Sequence, residues 1–154
     1  PSSITGAALI IEFAIGDVSR EVTKTVFGRR FKQGIFHANE FDTSSNYTAI
    51  IEPEITSLNW RLNALKNLGF AATPEANVTL KITLKDSTGN VLSNKTYSSG
   101  WVSGGTYMLS FSPPEKANIA VHRAVFTAAV RAADDLVEIM EAKTNSNQFF
   151  WIRL

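Results

Sequence analysis

The chain has 154 residues, the length of one ordinary domain, and we expect a single domain over 1–154. Hydrophobic residues make up 44% and charged residues 19%, which excludes low-complexity disorder and a collagen-like repeat. The 15 basic and 14 acidic residues give a net charge of +1, so nothing in the charge predicts nucleic-acid binding. The absence of cysteine excludes disulfides and thiolate metal sites, and two histidines are too few for a three-His zinc site.

The N-terminal residues show no recognisable targeting segment. The longest apolar run, Ala7–Ile11, is far shorter than the roughly 20 residues of a membrane-spanning helix. Pro1 is neither an initiator methionine nor the start of a signal peptide with a charged region and an apolar region. We therefore expect a processed or truncated chain.

The first elements in chain order are a predicted strand and a predicted helix. Ala7–Phe13 is a short apolar run typical of a buried strand. Asp17 then offers an N-cap, because its side chain can accept hydrogen bonds from the free N–H groups of a first helical turn. The apolar side of the helix recurs every four residues, at Val18, Val22 and Val26. We expect this helix to end near Gly34.

Two strands and a loop are predicted next. Ile35–Phe41 is strand-like, and Tyr47–Leu62 shows alternation towards its end. Pro53 lies within the second strand and cannot donate a ladder hydrogen bond, so it predicts a bulge, an edge position or a break. Asn63–Asn77 contains Gly and Pro and is interpreted as a loop, although Leu65–Ala72 is too apolar for an ordinary solvated one.

A hairpin is the clearest feature of the sequence. Val78–Lys85 alternates apolar and polar residues, which predicts a strand with one buried face and one wet face. Asp86–Asn90 carries the residues of a hairpin turn, and Val91–Trp101 is expected to return as the partner strand. Residues 98–111 are rich in Gly and Ser, and either a flap or a further strand is compatible with them.

A long second helix follows. Ser112 to Glu115 match the S-x-x-E capping box with Pro at the first helical position, and the helical pattern runs to about Lys143. The apolar stripe comprises Val121, Val125, Ala128, Ala132, Leu136 and Ile139. Residues 144–154 then form an apolar tail or an extra strand.

These elements predict an α+β fold in the order β-α-β-β-β-β-α. We expect one mixed sheet of about 4–6 strands with both helices packed on one face, because an apolar sheet face and two amphipathic helices must cover each other. A crossover through a helix and later hairpins make the sheet mixed.

The pattern resembles small periplasmic lipoproteins of Gram-negative bacteria. The residues that carry the resemblance are Tyr47–Ile55, the Asp86–Gly89 hairpin turn and the Ala-rich segment Ala132–Leu136. The comparison group comprises the lipopolysaccharide-assembly lipoprotein LptE, the amino-terminal domain of TolB and domains related to CsgG. The resemblance implies a non-catalytic protein that plugs, scaffolds or rings an export apparatus at the outer membrane. It also implies periplasmic localisation and an anchor through a lipidated cysteine, which this chain lacks.

Candidate chemistry is sparse. No phosphate-binding, dinucleotide-binding, zinc-protease or serine-hydrolase motif occurs, so we expect no enzyme activity, no cofactor and no metal. His37 and His122 are interpreted as surface or boundary histidines. Glu52 and Glu54 would share one face of a strand, but we interpret them as exposed edge charges rather than as a glycosidase pair.

The residues that favour partner contacts are aromatic or basic. Trp101 is surrounded by Gly and Ser, and a large ring at such a place suggests contact with a partner or a membrane surface. Phe149, Phe150 and Trp151 form an aromatic tail that either adds a strand to its own sheet or contributes to an oligomer, and the resemblance to complex-forming envelope proteins favours the oligomer. Arg29 and Arg30 close the first helix and either offset its dipole or contact a partner. The acidic residues late in the second helix, at Asp134, Asp135, Glu138 and Glu141, are either solvated or in contact with a partner.

Two functions remain open at this point. The first is a non-catalytic envelope protein, a (lipo)protein subunit or scaffold of an outer-membrane assembly, secretion or transport apparatus, with other envelope proteins or a second copy as partners. The second is a periplasmic carrier of a small molecule or lipid with its pocket between sheet and helices. The feature that separates them is a pocket lined by convergent polar groups, and no set of residues in the sequence requires one.

Overall fold

The structure, a computed structural model, describes residues 15–31, 35–36, 49–63, 71–86, 88–108, 113–143 and 152–153. The two helices are α1, Ile15–Arg30, and α2, Pro113–Lys143. The strands are β1 Ile35–Phe36, β2 Ala49–Asn63, β3 Ala71–Asp86, β4 Val91–Ser98, β5 Val102–Ser103, β6 Tyr107–Met108 and β7 Ile152–Arg153. The fold is α+β, as the sequence predicts.

One mixed sheet organises the chain. Its strand order is β1-β7-β2-β3-β4, and β5 and β6 also pair with β3. The ladders of β7 with β1 and β2 are parallel, whereas every ladder of β3 is antiparallel. The long β2–β3 ladder is the centre of the sheet, so each later segment of the molecule is positioned against β3.

The helices cover one face of this sheet. Alternate residues of β3, namely Val78, Leu80, Ile82 and Leu84, are at most 1% exposed and lie in one core with residues of both helices. The helix stripe is confirmed: five of its members are buried and Ile139 packs against them half-buried. Alanine forms much of the buried face of α2, and its short side chain allows a close approach to the sheet.

Pro53 is accommodated as the sequence predicts. It lies opposite Ile82 in regular register, and the bulge in the β2–β3 ladder comes three residues later, at Thr56. Among the described residues, β7 pairs with β2 only at Ala49 and Ile50, so the other edge of β2 needs no N–H from position 53.

Four boundaries predicted from the sequence were wrong. Helix α1 begins at Ile15, so Asp17 lies inside its first turn and is not its N-cap, and the helix ends at Arg30 rather than near Gly34. The predicted loop over 63–77 is a strand from position 71, because Pro74 and its neighbours pair continuously with the end of β2. The partner strand ends at Ser98 rather than Trp101, and the chain then resumes against β3 as β5.

The apolar tail contributes a strand to the sheet of its own chain. Ile152 and Arg153 pair with both β1 and β2, which is the first of the two arrangements considered for the tail. Several features singled out in the sequence lie outside the described residues. They are the predicted strand over 7–13, most of the apolar loop over 65–72, His37, and the aromatic residues Phe149, Phe150 and Trp151.

Candidate interaction surface

Over residues 98–108, the described part of the Gly- and Ser-rich segment, the chain forms an interrupted strand along the edge of β3. Ser98 pairs with Thr79, and Val102 pairs with Ala76, so three residues of this segment face two of β3. The extra residue makes a bulge at 99–101. A second interruption follows at 104–106. These three residues lie opposite residues 73 and 74 of β3, which is again one residue more, before β6 pairs with Ala71 and Ala72.

Ser99 closes the first bulge. Its backbone N–H donates to the carbonyl oxygen of Val78 at 2.9 Å, and the N–H of Val78 donates to the Ser99 Oγ at 2.9 Å. A hydroxyl oxygen therefore replaces the missing backbone acceptor at the interruption. Gly100 has a φ of +67°, a left-handed conformation that glycine adopts without a Cβ penalty.

Trp101 lies in this bulge and not at a hairpin end, which corrects the position expected for it. Its ring is 44% exposed, and the guanidinium carbon of Arg61 lies 4.0 Å from the ring centroid. This is a cation–π contact, worth about 0.5–1 kcal/mol at an exposed site. The ring is therefore fixed against β2 while nearly half of it faces solvent.

Glu75 holds the Arg61 guanidinium in place through an ion pair. Arg61 donates from Nε to Glu75 Oε2 at 2.9 Å and from Nη2 to the same oxygen at 2.8 Å. The two residues are register partners on the sheet face opposite the helices. The Glu75 side chain is only 5% exposed, whereas that of Arg61 is 50% exposed. We call Trp101, Arg61 and Glu75 the tryptophan cluster. In it the exposed indole ring lies against the Arg61 guanidinium, which is in turn held by the buried Glu75 carboxylate.

The second interruption brings the chain against α2. Gly104 donates its N–H to the Pro74 carbonyl oxygen at 2.9 Å, and a Cβ at this position would lie 1.9 Å from the Lys116 carbonyl oxygen. Only glycine permits that approach. Arg123 and Arg131 of α2 donate to the carbonyl oxygens of Ser103 and Ser98, the last residues of β5 and β4.

Two of the four acidic residues late in α2, Asp134 and Asp135, are paired within the chain. Asp135 accepts hydrogen bonds from the Tyr97 hydroxyl at 2.6 Å and from Lys95 at 3.0 Å. The Tyr97 hydrogen bond, followed by Lys95, holds the pKa of Asp135 below its usual value. Burial, together with Asp135, raises the pKa of Tyr97. Asp134 forms an ion pair with Arg30 at 2.6 Å, so these two acids hold β4 and α1 against α2.

Arg29 and Arg30 border a groove between the two helices. The groove has a volume of about 300 Å³ and is lined by Val26, Arg29, Arg30, Phe126 and Val130. Phe126 is 47% exposed although it lies in the middle of a helix. Arg30 is paired with Asp134, whereas Arg29 has no ion-pair partner among the residues that the structure describes.

The residues considered for chemistry lie apart. Glu54 pairs with Lys81 at 3.2 Å and Glu52 with Lys85 at 2.7 Å, so each carboxylate binds its own lysine on β3. His122 is exposed on α2. Within the described ranges, no three His, Cys, Asp or Glu residues come together as a metal site.

The sequence interpretation missed three residues of these surfaces. Arg61 and Glu75 are 14 positions apart in the chain, and Glu75 falls within the predicted loop, so the sequence pattern does not predict their ion pair. Phe126 lies one position from the buried Val125 and was not recognised as exposed. Only its offset from the apolar stripe of α2 could have indicated this.

Comparisons with known proteins identify a fold and no family. No protein-family model matches the chain, and no curated protein matches it. The structure is similar to the crystal structure of a candidate lipoprotein from Caulobacter crescentus CB15, with a TM-score of 0.55 and 17% sequence identity. The similarity covers 88% of this chain and 89% of that one. At this level of identity it shows a shared fold. Within the described part of the chain, neither helix is both long and apolar enough to cross a membrane.

Proposed function

We propose that this chain is the folded domain of a bacterial envelope protein that acts without catalysis, as a subunit or scaffold of an outer-membrane assembly, secretion or transport apparatus. The observation that carries the proposal is the similarity over nearly the whole of both chains to a candidate lipoprotein. Periplasmic localisation, a lipid anchor outside this sequence and the narrower likeness to LptE, TolB or CsgG belong to the same proposal.

The tryptophan cluster supports a role in binding other proteins. Tryptophan and arginine are enriched at protein interfaces, where a rigid aromatic side chain supplies contact area at a small entropic cost. Trp101 is fixed by Arg61 before any partner binds, and Arg61 is fixed by Glu75. A ring held in this way loses little freedom on association.

The carrier alternative receives less support. It places a pocket between sheet and helices, but the described residues on both sides of that interface are closely packed. Leu80 and Val78 on the sheet and Ala128 and Ala132 on α2 are all fully buried. The groove beside Arg29 lies between the helices instead.

Fractionation of the source bacterium tests the proposal. The native protein should be released with the periplasm or found with the outer membrane, in a native complex larger than one chain. Trp101→Ala should reduce the amount of that complex, whereas Leu92→Ala, which alters a similarly exposed side chain on β4, should not. A cytoplasmic protein, or one that migrates as a monomer from both compartments, contradicts the proposal.

The absence of catalysis is tested separately. Glu52, Glu54 and His122 are the described residues that a hydrolase mechanism would draw on, and each carboxylate is already bound to a lysine. A broad screen of ester, glycoside and phosphate substrates should give no turnover. Activity that disappears on Glu52→Gln, Glu54→Gln or His122→Ala would overturn this part of the proposal.

A further inference from the structure

The groove between α1 and α2 has features of a binding site that the proposed function does not use. Its floor is apolar, because Val26, Phe126 and Val130 line it, and its rim carries two guanidinium groups. Phe126 keeps 47% of its surface in water at a position where a helix of this kind usually carries a polar residue. Covering that ring would be favourable, since burial of apolar surface is the main driving force of association.

The charge at the rim is unevenly satisfied. Arg30 is bound to Asp134 at 2.6 Å, so its charge is already matched. Arg29 is exposed at the end of α1 and has no ion-pair partner among the described residues. A guanidinium presents several N–H donors in a fixed plane and binds carboxylate or phosphate oxygens in pairs. Among the described residues, Arg29 therefore carries the guanidinium of this groove that is left to bind an anion.

The size of the groove argues against a folded protein as the occupant. Five side chains line about 300 Å³, whereas a stable protein interface uses about 20–30 residues on each side. The volume lies at the lower end of the range of about 300–1,000 Å³ typical of small-ligand sites. An open groove with an apolar floor and a cation at its rim matches a ligand with a single apolar chain and one anionic end.

We infer that this groove binds a free single-chain anionic amphiphile, with the acyl chain against Phe126, Val130 and Val26 and the anionic head on Arg29. The site is independent of the proposed scaffold role, since it lies on the helices and away from the tryptophan cluster. It also differs from the carrier alternative, because the acyl chain of the ligand would lie between the two helices and not between the helices and the sheet.

Titration with three probes of equal chain length tests the inference: decanoate and decyltrimethylammonium, each kept below its critical micelle concentration, and decanol, kept below its solubility limit in water. Amide chemical shifts should move at residues around Arg29 and Phe126 on addition of decanoate, and the binding should saturate. Decanoate should bind about tenfold more tightly than decanol, because decanol cannot form the charge-assisted hydrogen bonds. Decyltrimethylammonium should bind most weakly.

Matched variants separate the head contact from the chain contact. Arg29→Gln should weaken decanoate binding about tenfold and leave decanol binding unchanged, whereas Arg20→Gln, at an exposed arginine of the same helix paired with Asp17, should change neither. Phe126→Ala should weaken both probes, and Leu92→Ala neither. Thermal unfolding of each variant establishes that the fold is retained.

Three results would overturn the inference. The first is the absence of saturable decanoate binding to the folded wild-type protein. The second is saturable binding with shifts confined to residues away from both helices. The third is equal binding of decanoate and decanol together with no effect of Arg29→Gln, which would remove the anionic head from the site.

Discussion

The two halves of β3 are buried in different ways. In residues 78–86 burial alternates: Leu80 is fully buried among the core residues, while Lys81 and its neighbours on the other face are partly exposed. In residues 71–77 the alternation disappears, and positions 72–76 are all at most 5% exposed, including Thr73 and Glu75. Alternating burial requires that only one face of the strand be covered, whereas continuous burial requires that both faces of the strand be covered.

The cover on the outer face of the first half includes residues far away in the chain. Arg61 and Trp101 lie over Glu75, and the hydroxyls of Thr73 and Thr106 are 2.9 Å apart. The contacts of Trp101 and Thr106 exist only because the interrupted strand returns along β3, whereas Arg61 meets Glu75 through the pairing of β2 with β3. The comparison shows that a strand's polar residues can be interior residues when the partner segments carry complementary polar groups.

The largest expected effect concerns the alternating half. Leu80→Ala should lower the free energy of unfolding by about 2–5 kcal/mol, because it removes a fully buried side chain and leaves a cavity. The control is Leu62→Ala. Leu62 lies on β2 beside Pro74, in the first half of β3, and points to the same face of the sheet as Leu80, but it is 44% exposed. Its replacement should cost less than about 1 kcal/mol. Urea unfolding measures both, and equal losses would contradict the difference described between the halves.

The next effect concerns the close approach of the interrupted strand to α2. Gly104→Ala should destabilise the fold by about 3 kcal/mol, at the upper end for overpacking, because the new Cβ meets a backbone carbonyl that cannot rotate away. The control is Gly16→Ala, on the exposed side of α1 with open space around it, which should stabilise by up to about 1 kcal/mol. Thermal unfolding compares the two, and a neutral Gly104→Ala would show that β5 can move off α2.

The next prediction concerns the ion pair between the half-exposed Arg61 and the buried carboxylate of Glu75. Arg61→Met keeps an aliphatic side chain beside Trp101 but takes one cationic partner from Glu75, so we expect a loss of about 1–2 kcal/mol. Lys81→Met removes the partner of Glu54, whose side chain is 64% exposed, and should cost between about 0 and 1 kcal/mol. If both substitutions cost the same in urea unfolding, the carboxylate of Glu75 is not buried as described.

The smallest effect is at the turn that ends β3. Hydrogen bonds from the side chains of Thr88 and Asn90, with smaller contributions from their backbone N–H groups, lower the pKa of Asp86 from 3.8 to about 2. A carboxyl group with a lower pKa in the folded state stabilises the fold above its unfolded pKa, and this contribution is lost as pH falls from about 4 to about 2. Asp86→Asn should therefore be less stable than the wild type at pH 7, and the difference should shrink in that window. A difference that stays constant down to pH 2 would contradict the assignment.

Local pattern was sufficient for the regular parts of the molecule. The helical stripe through Leu136, the hairpin around Asp86 and the alternation of residues 78–85 each depend on periods of 3.6 or 2 that the chain carries in itself. These features predicted an α+β fold with one mixed sheet and both helices on one face, and the structure confirms it. The same local pattern placed Arg29 and Arg30 at the end of α1, where the structure places them.

The interrupted strand, the burial of Glu75 and the groove beside Arg29 were decided by tertiary structure alone. The sequence around Pro74 has no alternation, because both of its faces are covered by segments brought there by pairing along β3. The groove that Phe126 lines depends on how α1 packs against α2, and the sequence of neither helix contains that arrangement. The pairing of distant strands determines which polar groups come into contact. The pattern of a single segment indicates only which side of that helix or strand is buried.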